Sequence, residues 1–302
     1  MPVARGPRSG AGSAATRPIR PPELNDALNR HFYHPLAWRL ARLLAATPVT
    51  PNMVSVAGGL AIVAAGLAYA GPLWGWSWPG SAAAGLALHM SWHVLDGADG
   101  DLARLTERSS PRGEMIDGLC DYAGHLVLYL LLAALLATQI GWVGWPIMIA
   151  TGVTHAIQAN HVEVQRRYYL HWVHAKPWLA NERPEMRGPA AWLVALYLRA
   201  AGAMSPHAEV IDRAVIAAAD DRSRRAALRA MIREQTAPLL RLEKVLGPNP
   251  RTIALGLSML ITGSPLAFAA YGAIGLTALL AVSVAVHNRA ARRIAQRIAV
   301  FG

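Results

Sequence analysis

The sequence predicts an all-α, polytopic membrane protein with six transmembrane helices, an N-terminal interfacial amphipathic helix and a cytoplasmic helical insertion. Three observations predict it. Of the 302 residues, 54% are hydrophobic and only 16% charged, which is too apolar and too charge-poor for an ordinary soluble protein. Apolar runs recur along the chain between short polar or proline-containing breaks. Arg-rich segments fall in alternate connections, whereas the other three connections carry no Lys, Arg, Asp or Glu. The net charge of +11 would by itself suggest nucleic acid as a partner. Its alternation instead assigns it to a cytoplasmic face against anionic lipid, so no nucleic acid is implied. The one cysteine, Cys120, excludes an intramolecular disulfide.

Residues 1–22 are rich in Arg, Pro, Gly, Ser and Ala and read as a disordered basic tail. Residues 23–50 carry Leu24, Leu28, Phe32, Leu36, Leu40 and Leu43 at helical spacing, with Arg30, Arg39 and Arg42 between them, which fits an interfacial helix or a short partner-binding helix. Pro48 and Pro51 mark a break, and residues 51–165 then hold the first four spans. These run from about Met53 to Ala70, Ser81 to Leu95, Asp117 to Ala137 and Pro146 to Val162. Gly58 and Gly59 allow close helix packing, and Trp74, Trp76 and Trp78 suit an interfacial belt. Residues 166–251 are polar, basic and helical in pattern, with an apolar stripe through Leu228, Met231, Ile232, Leu239, Leu242 and Leu246. They predict a cytoplasmic insertion resting on the membrane or on a partner subunit. The apolar patch Pro189–Ala203 within them is too short to span and carries Arg199. Residues 252–302 hold the last two spans, divided near Ser264 and Pro265, and a basic C-terminus. An even number of spans puts both termini on the cytoplasmic side.

The chain is organised around residues 96–121. Asp96 and Asp99 are three apart, and Asp117 and Asp121 four apart, so each pair shares a helix face. Both pairs sit at the ends of spans joined by a short polar turn, so a hairpin brings them face to face. Four converging carboxylates repel one another unless a cation neutralises them, and oxygen-only ligands suit Mg²⁺, Mn²⁺ or Ca²⁺. Gly100 and Gly113 let a phosphate or nucleotide approach the backbone, and Arg104 is placed to hold a phosphate.

These residues resemble the signature of the CDP-alcohol phosphatidyltransferases, Asp-x2-Asp-Gly-x2-Ala-Arg-x8-Gly-x3-Asp-x3-Asp. Asp96, Asp99, Gly100, Ala103, Arg104, Gly113, Asp117 and Asp121 match every fixed position without a gap. The resemblance implies six transmembrane helices and a homodimer, and with the alternation of charged connections it implies an integral protein of a bacterial-type inner membrane with its active site cytoplasmic. It implies two divalent cations, Mg²⁺ or Mn²⁺, held by Asp96, Asp99, Asp117 and Asp121. It also implies transfer of a phosphate-linked alcohol from a CDP-linked donor to an alcohol acceptor with release of CMP, as in phospholipid biosynthesis. Gly100, Ala103, Arg104 and Gly113 then lie along the CDP moiety, and Asp121 is the catalytic base. Asn52 falls where the family often carries Pro-Asn and reads either as a nucleotide contact or as a helix cap.

Size and N-terminal arrangement resemble the bacterial members that use CDP-diacylglycerol. Ser109-Ser110-Pro111 resembles the choline and ethanolamine phosphotransferase branch, with a CDP-linked headgroup and a lipid acceptor. Arg108, Arg112, Arg166 and Arg167 read either as a pocket for an anionic acceptor or as ordinary positive-inside residues. Asp101 is at no fixed position and stays outside the expected site. His89 and His93 read as buried residues rather than metal ligands, and His125 is placed to hydrogen-bond the Asp121 carboxylate. His155, His161, His171 and His174 are scattered and carry no motif. A function from a different class is a cation transporter with aspartate ion ligands. It fits less well, because a transporter places such groups nearer the bilayer midplane.

Overall fold

In a computed structural model, which describes residues 20–176, 199 and 202–301, every regular element among the described residues is helical. The tail up to residue 19 and most of the Pro189–Ala203 patch lie outside the described residues.

The first helix, α1 (His34–Leu44), follows a short π-helical turn, Asn29–Tyr33. Its buried face is not made by the bulky stripe. Tyr33, Ala37 and Ala41 are buried instead, whereas Phe32 and Leu43 are exposed. Small residues let α1 lie close on the next long helix but one, where a Cβ added to Gly97 would stand 2.9 Å from Ala37 Cβ. The outward bulky side chains then suit a lipid interface.

Helix α2 (Pro51–Tyr69) starts at Pro51, with Thr50 Oγ1 accepting from the Met53 amide at 3.3 Å. Helix α3 (Trp78–Leu105) carries its apolar run and the first half of the aspartate motif in one unbroken rod. It ends where Glu107 takes a left-handed conformation (φ 55°) and the Arg108 amide bonds back to Ala103 O at 2.8 Å. Ser110 then caps α4 (Pro111–Ile140), its Oγ accepting from the Gly113 amide at 3.1 Å, with Pro111 at the first helical position. The two motif helices are thus joined by the short turn 106–110 and are forced antiparallel. Helix α2 packs against both. A Cβ on Gly124 would stand 2.8 Å from Gly59 O, and one on Gly59 2.9 Å from Cys120 O, so α2 and α4 meet backbone to backbone. Below this crossing Ile62, Ala65, Tyr69, Leu128, Leu132 and Leu136 form the main core.

Helix α5 (Gly144–His174) runs well past the expected end of the fourth span. Helices α6 (Ala208–Ala217), α7 (Arg222–Thr236) and α8 (Leu240–Leu246) follow. They fold back on α5 and on the last helix through a second core of Tyr169, Trp172, Ile211, Ile232, Leu240 and Ile294. The described residues 208–246 of the expected insertion thus pack on this chain's own long helices. Helix α9 (Pro248–Thr262) packs on α3, and a final rod comprises α10 (Leu266–Ala269), a π-helical stretch Ala270–Gly275 and α11 (Leu276–Phe301).

Among the described residues three helices are long and apolar enough to cross a membrane: Pro51–Tyr69, Pro111–Ile140 and Leu266–Ala299. Helix α9 has 15 residues, short of the ~20 that a bilayer core needs. Helices α3 and α5 interrupt their apolar runs with His89 and His93, and with His155, Gln158, Asn160 and His161. Several of these side chains face protein. Gln158 is fully buried, donates to Gly272 O and Thr277 Oγ1 at 3.0 Å each, and accepts from Arg251 at 3.1 Å. It thereby supplies a donor to a carbonyl within the π-helical stretch.

Candidate active site

The hairpin of α3 and α4 brings the two aspartate pairs together. One carboxylate oxygen each from Asp96, Asp117 and Asp121 lies within 4.8 Å of the others. Asp96 is exposed and the other two are half-buried, so the cluster opens to the surface on the Asp96 side. Asp99 is buried beside them. Its Oδ2 accepts from Ser55 Oγ of α2 at 2.6 Å and its Oδ1 from the Gly100 amide at 2.5 Å, and its carboxyl comes within hydrogen-bonding reach of Asp117. A cluster of hard oxygen donors with mutual repulsion and an open side fits divalent cations of the Mg²⁺ or Mn²⁺ type.

Asp121 Oδ1 accepts from Trp92 Nε1 at 2.7 Å. The expected bond from His125 goes elsewhere, because His125 Nδ1 meets the backbone carbonyl of Asp121 at 2.8 Å. Being one turn further along the same helix, His125 reaches the carbonyl that its own turn leaves accessible, while the carboxylate swings toward α3. Behind Asp121, His89, His125 and His155 line a cavity of about 10 Å³ together with Trp92, Tyr129 and Arg251. His155 therefore joins this polar wall, although nothing in its sequence surroundings marks it.

Gly100 and Gly113 are open as the motif requires. A Cβ on Gly100 would meet only the Arg104 guanidinium, at 3.4 Å or more. A Cβ on Gly113 would stand 3.3 Å from Ser110 Oγ and 3.6 Å from Asn52 Oδ1. Asn52 is thus an exposed side chain beside Gly113, and the capping role it shared in the sequence reading belongs to Thr50. Ala103 is half-buried on α3. Arg104 is tethered rather than free, with one nitrogen 2.5 Å from Asp101 Oδ1.

Asp101 is 2% exposed and also accepts from Arg20 at 2.9 Å, so it orients two guanidiniums at the site's edge. Neither Asp101 nor Arg20 was expected there, since an ion pair between such distant positions leaves no local pattern. Arg166 is held by both oxygens of Glu163 at 2.8 Å, and its charge acts on Asp96. Arg167 bridges Glu163 at 2.5 Å and Glu114 at 2.9 Å. Arg108 and Arg112 are exposed. The Lys176 ammonium is held below its ordinary pKa by partial burial and by the guanidiniums of Arg104, Arg166 and Arg20. Arg20, Arg104 and Arg166 therefore gather beside the carboxylates, with Lys176 next to them, a charge arrangement suited to a phosphorylated ligand.

The model of the family described as CDP-alcohol phosphatidyltransferase matches residues 48–206, just over half of the chain and the whole of the α2–α4 site. Searches of curated proteins and of solved structures each returned no match.

Proposed function

The chain belongs to the CDP-alcohol phosphatidyltransferase family, and we propose that it moves a phosphatidyl group from CDP-diacylglycerol to an acceptor hydroxyl, releasing CMP, in phospholipid biosynthesis. The observation that carries this is the convergence of Asp96, Asp117 and Asp121 within 4.8 Å on the matched motif. Asp96, Asp99, Asp117 and Asp121 would hold two divalent cations, which when bound neutralise the donor pyrophosphate. Gly100, Ala103 and Gly113 leave the backbone open to the CDP moiety, with Asn52 beside Gly113, and Arg104 faces its phosphates. The Asp121 carboxylate takes the proton of the acceptor hydroxyl. That oxygen bonds to the phosphorus distal to the cytidine, and the bond from this phosphorus to the CMP oxygen breaks. Trp92 holds the carboxylate on the α3 side during this step.

Two features favour a lipid-linked donor and a polar acceptor. Leu119, Tyr122 and Leu126 are exposed on α4 beside the aspartates, a surface suited to acyl chains. Arg20, Arg104, Arg166 and Lys176 suit anionic groups, whereas Arg108 and Arg112 read as positive-inside residues. Ser110 and Pro111 cap and start α4, and the choline and ethanolamine branch, with a CDP-linked headgroup and a lipid acceptor, is the second reading. We further read six spans, both termini and the site cytoplasmic in a bacterial-type inner membrane, and a homodimer. The interfacial helix spans 23–50, the first four spans 51–165, the insertion 166–251 and the last two spans 252–302.

The test is CMP release by purified protein with Mg²⁺ or Mn²⁺ over CDP-diacylglycerol, CDP-choline and CDP-ethanolamine, each with a panel of acceptors. Release with CDP-diacylglycerol alone is expected. Release only with a CDP-linked headgroup and diacylglycerol would move the protein to the other branch.

A further inference from the structure

Three helices that supply no aspartate to the site above meet at a second cluster of ligating side chains. His161 on α5, Glu243 on α8 and His287 on α11 are all buried, and one ligand atom from each lies within 4.8 Å of the other two. Glu243 Oε1 is 3.6 Å from His161 Nε2 and 3.7 Å from His287 Nε2. These distances are too long for hydrogen bonds. They lie close to the edge of a tetrahedral site, which is roughly 3.3–3.6 Å for metal–ligand bonds of about 2.0–2.2 Å.

The surrounding hydrogen bonds orient the donors. His287 Nδ1 lies 2.9 Å from the Ser283 carbonyl, which only accepts, so Nδ1 carries the hydrogen. In the neutral ring Nε2 then presents a lone pair toward Glu243, the second-shell arrangement found around metal-bound histidines. Ser283 Oγ donates its one hydrogen to Glu243 Oε1 at 2.8 Å and therefore accepts from His161 Nε2 at 2.9 Å, so a metal bound by Nε2 takes the place of that hydrogen, which moves to the unpartnered Nδ1. His287 Nε2, Glu243 Oε2 and His161 Nδ1 have no hydrogen-bond partner although buried. A buried lone pair facing a buried carboxylate is costly unless a positive centre lies between them.

We propose that His161, Glu243 and His287 bind one divalent transition metal, zinc by its donor set, with Ser283 Oγ beside the fourth position. Two imidazoles and one carboxylate favour zinc and its first-row neighbours, whereas the all-oxygen aspartate cluster favours Mg²⁺ or Mn²⁺. The two clusters therefore select different ions. Ser283 is itself fully buried, so substrate has no access and the metal is structural. It ties α8, from the segment between α5 and α9, to two long helices, and it neutralises Glu243.

The test uses the full-length protein purified without chelator. Its zinc content is measured, and the metal-depleted protein is titrated with Co²⁺ and followed by visible absorption. One zinc per chain and one Co²⁺ with the strong d–d absorption of a four-coordinate site are expected. Both should be lost in His287→Gln and in Glu243→Gln and kept in Asp121→Asn. If a variant does not fold, X-ray absorption at the zinc edge of the wild-type protein counts imidazole ligands, and two are expected. Folded wild-type protein with neither zinc nor the cobalt band overturns the proposal. So does a band that survives both variants, one that disappears in Asp121→Asn, or a zinc without imidazole ligands.

Discussion

The aspartate cluster between α3 and α4 and the His161–Glu243–His287 cluster between α5, α8 and α11 are built in opposite ways. The first comes from two consecutive helices joined by the turn 106–110, with Asp96 exposed and Asp117 and Asp121 half-buried. The second comes from three helices far apart in the chain, and all its residues are buried. A site that must admit a substrate has to stay open, so its geometry is fixed by short covalent connections and by helix contacts to one side. A cluster that only joins helices can be enclosed, and the fold as a whole positions it. The first kind leaves a contiguous sequence pattern and the second leaves none.

Breaking the α2–α4 contact should have the largest effect on the first cluster. Gly124→Ala places a methyl 2.8 Å from Gly59 O, and the neighbour is backbone that cannot rotate away. The expected cost is about 3 kcal/mol, read as a lowered melting temperature in detergent, with CMP release reduced because Asp121 lies one turn away. Gly118→Ala, with no atom within 4 Å of its new Cβ, should raise the melting temperature slightly, by the roughly 0.5–1 kcal/mol that alanine gains over glycine inside a helix, and so separates the contact from helix propensity. Next is Trp92→Phe, which keeps an aromatic ring in the core but removes the 2.7 Å donor to Asp121. A fall in CMP release of roughly tenfold or more is expected, the worth of one hydrogen bond to a charged group. A rate equal to wild type would show that Asp121 needs no orienting partner. The smallest effect is expected at Asp221→Ala, which removes the cap that accepts from the Ser223 and Arg224 amides at 2.9 Å. It should cost about 1 kcal/mol of stability with no change in CMP release.

Much of the first cluster was legible because its determinants are local. Asp96, Asp99, Asp117 and Asp121 sit at helical spacings, and the turn between the pairs announces a hairpin. What the sequence left hidden depends on distant partners. Asp101 draws Arg20 and Arg104 together across most of the N-terminal third, and Trp92 rather than His125 reaches the Asp121 carboxylate. His155 and His161 look alike as isolated histidines in apolar sequence. Only the packing of α5 sends one to the wall behind Asp121 and the other to Glu243. The buried face of α1 likewise depends on a distant partner. Spacing identifies a bulky stripe, but close approach to α3 selects Ala37 and Ala41.

The central claim is that the aspartate cluster performs cation-dependent transfer with Asp121 as the base. Its most direct test is the initial rate of CMP release against Mg²⁺ concentration, for wild type and Asp121→Asn at matched amounts of folded protein. The predicted result is release that requires the cation in wild type and falls by roughly 10²–10⁴-fold in the variant, the usual worth of a general base. Release that is independent of the cation, or equal in the two proteins, would contradict it.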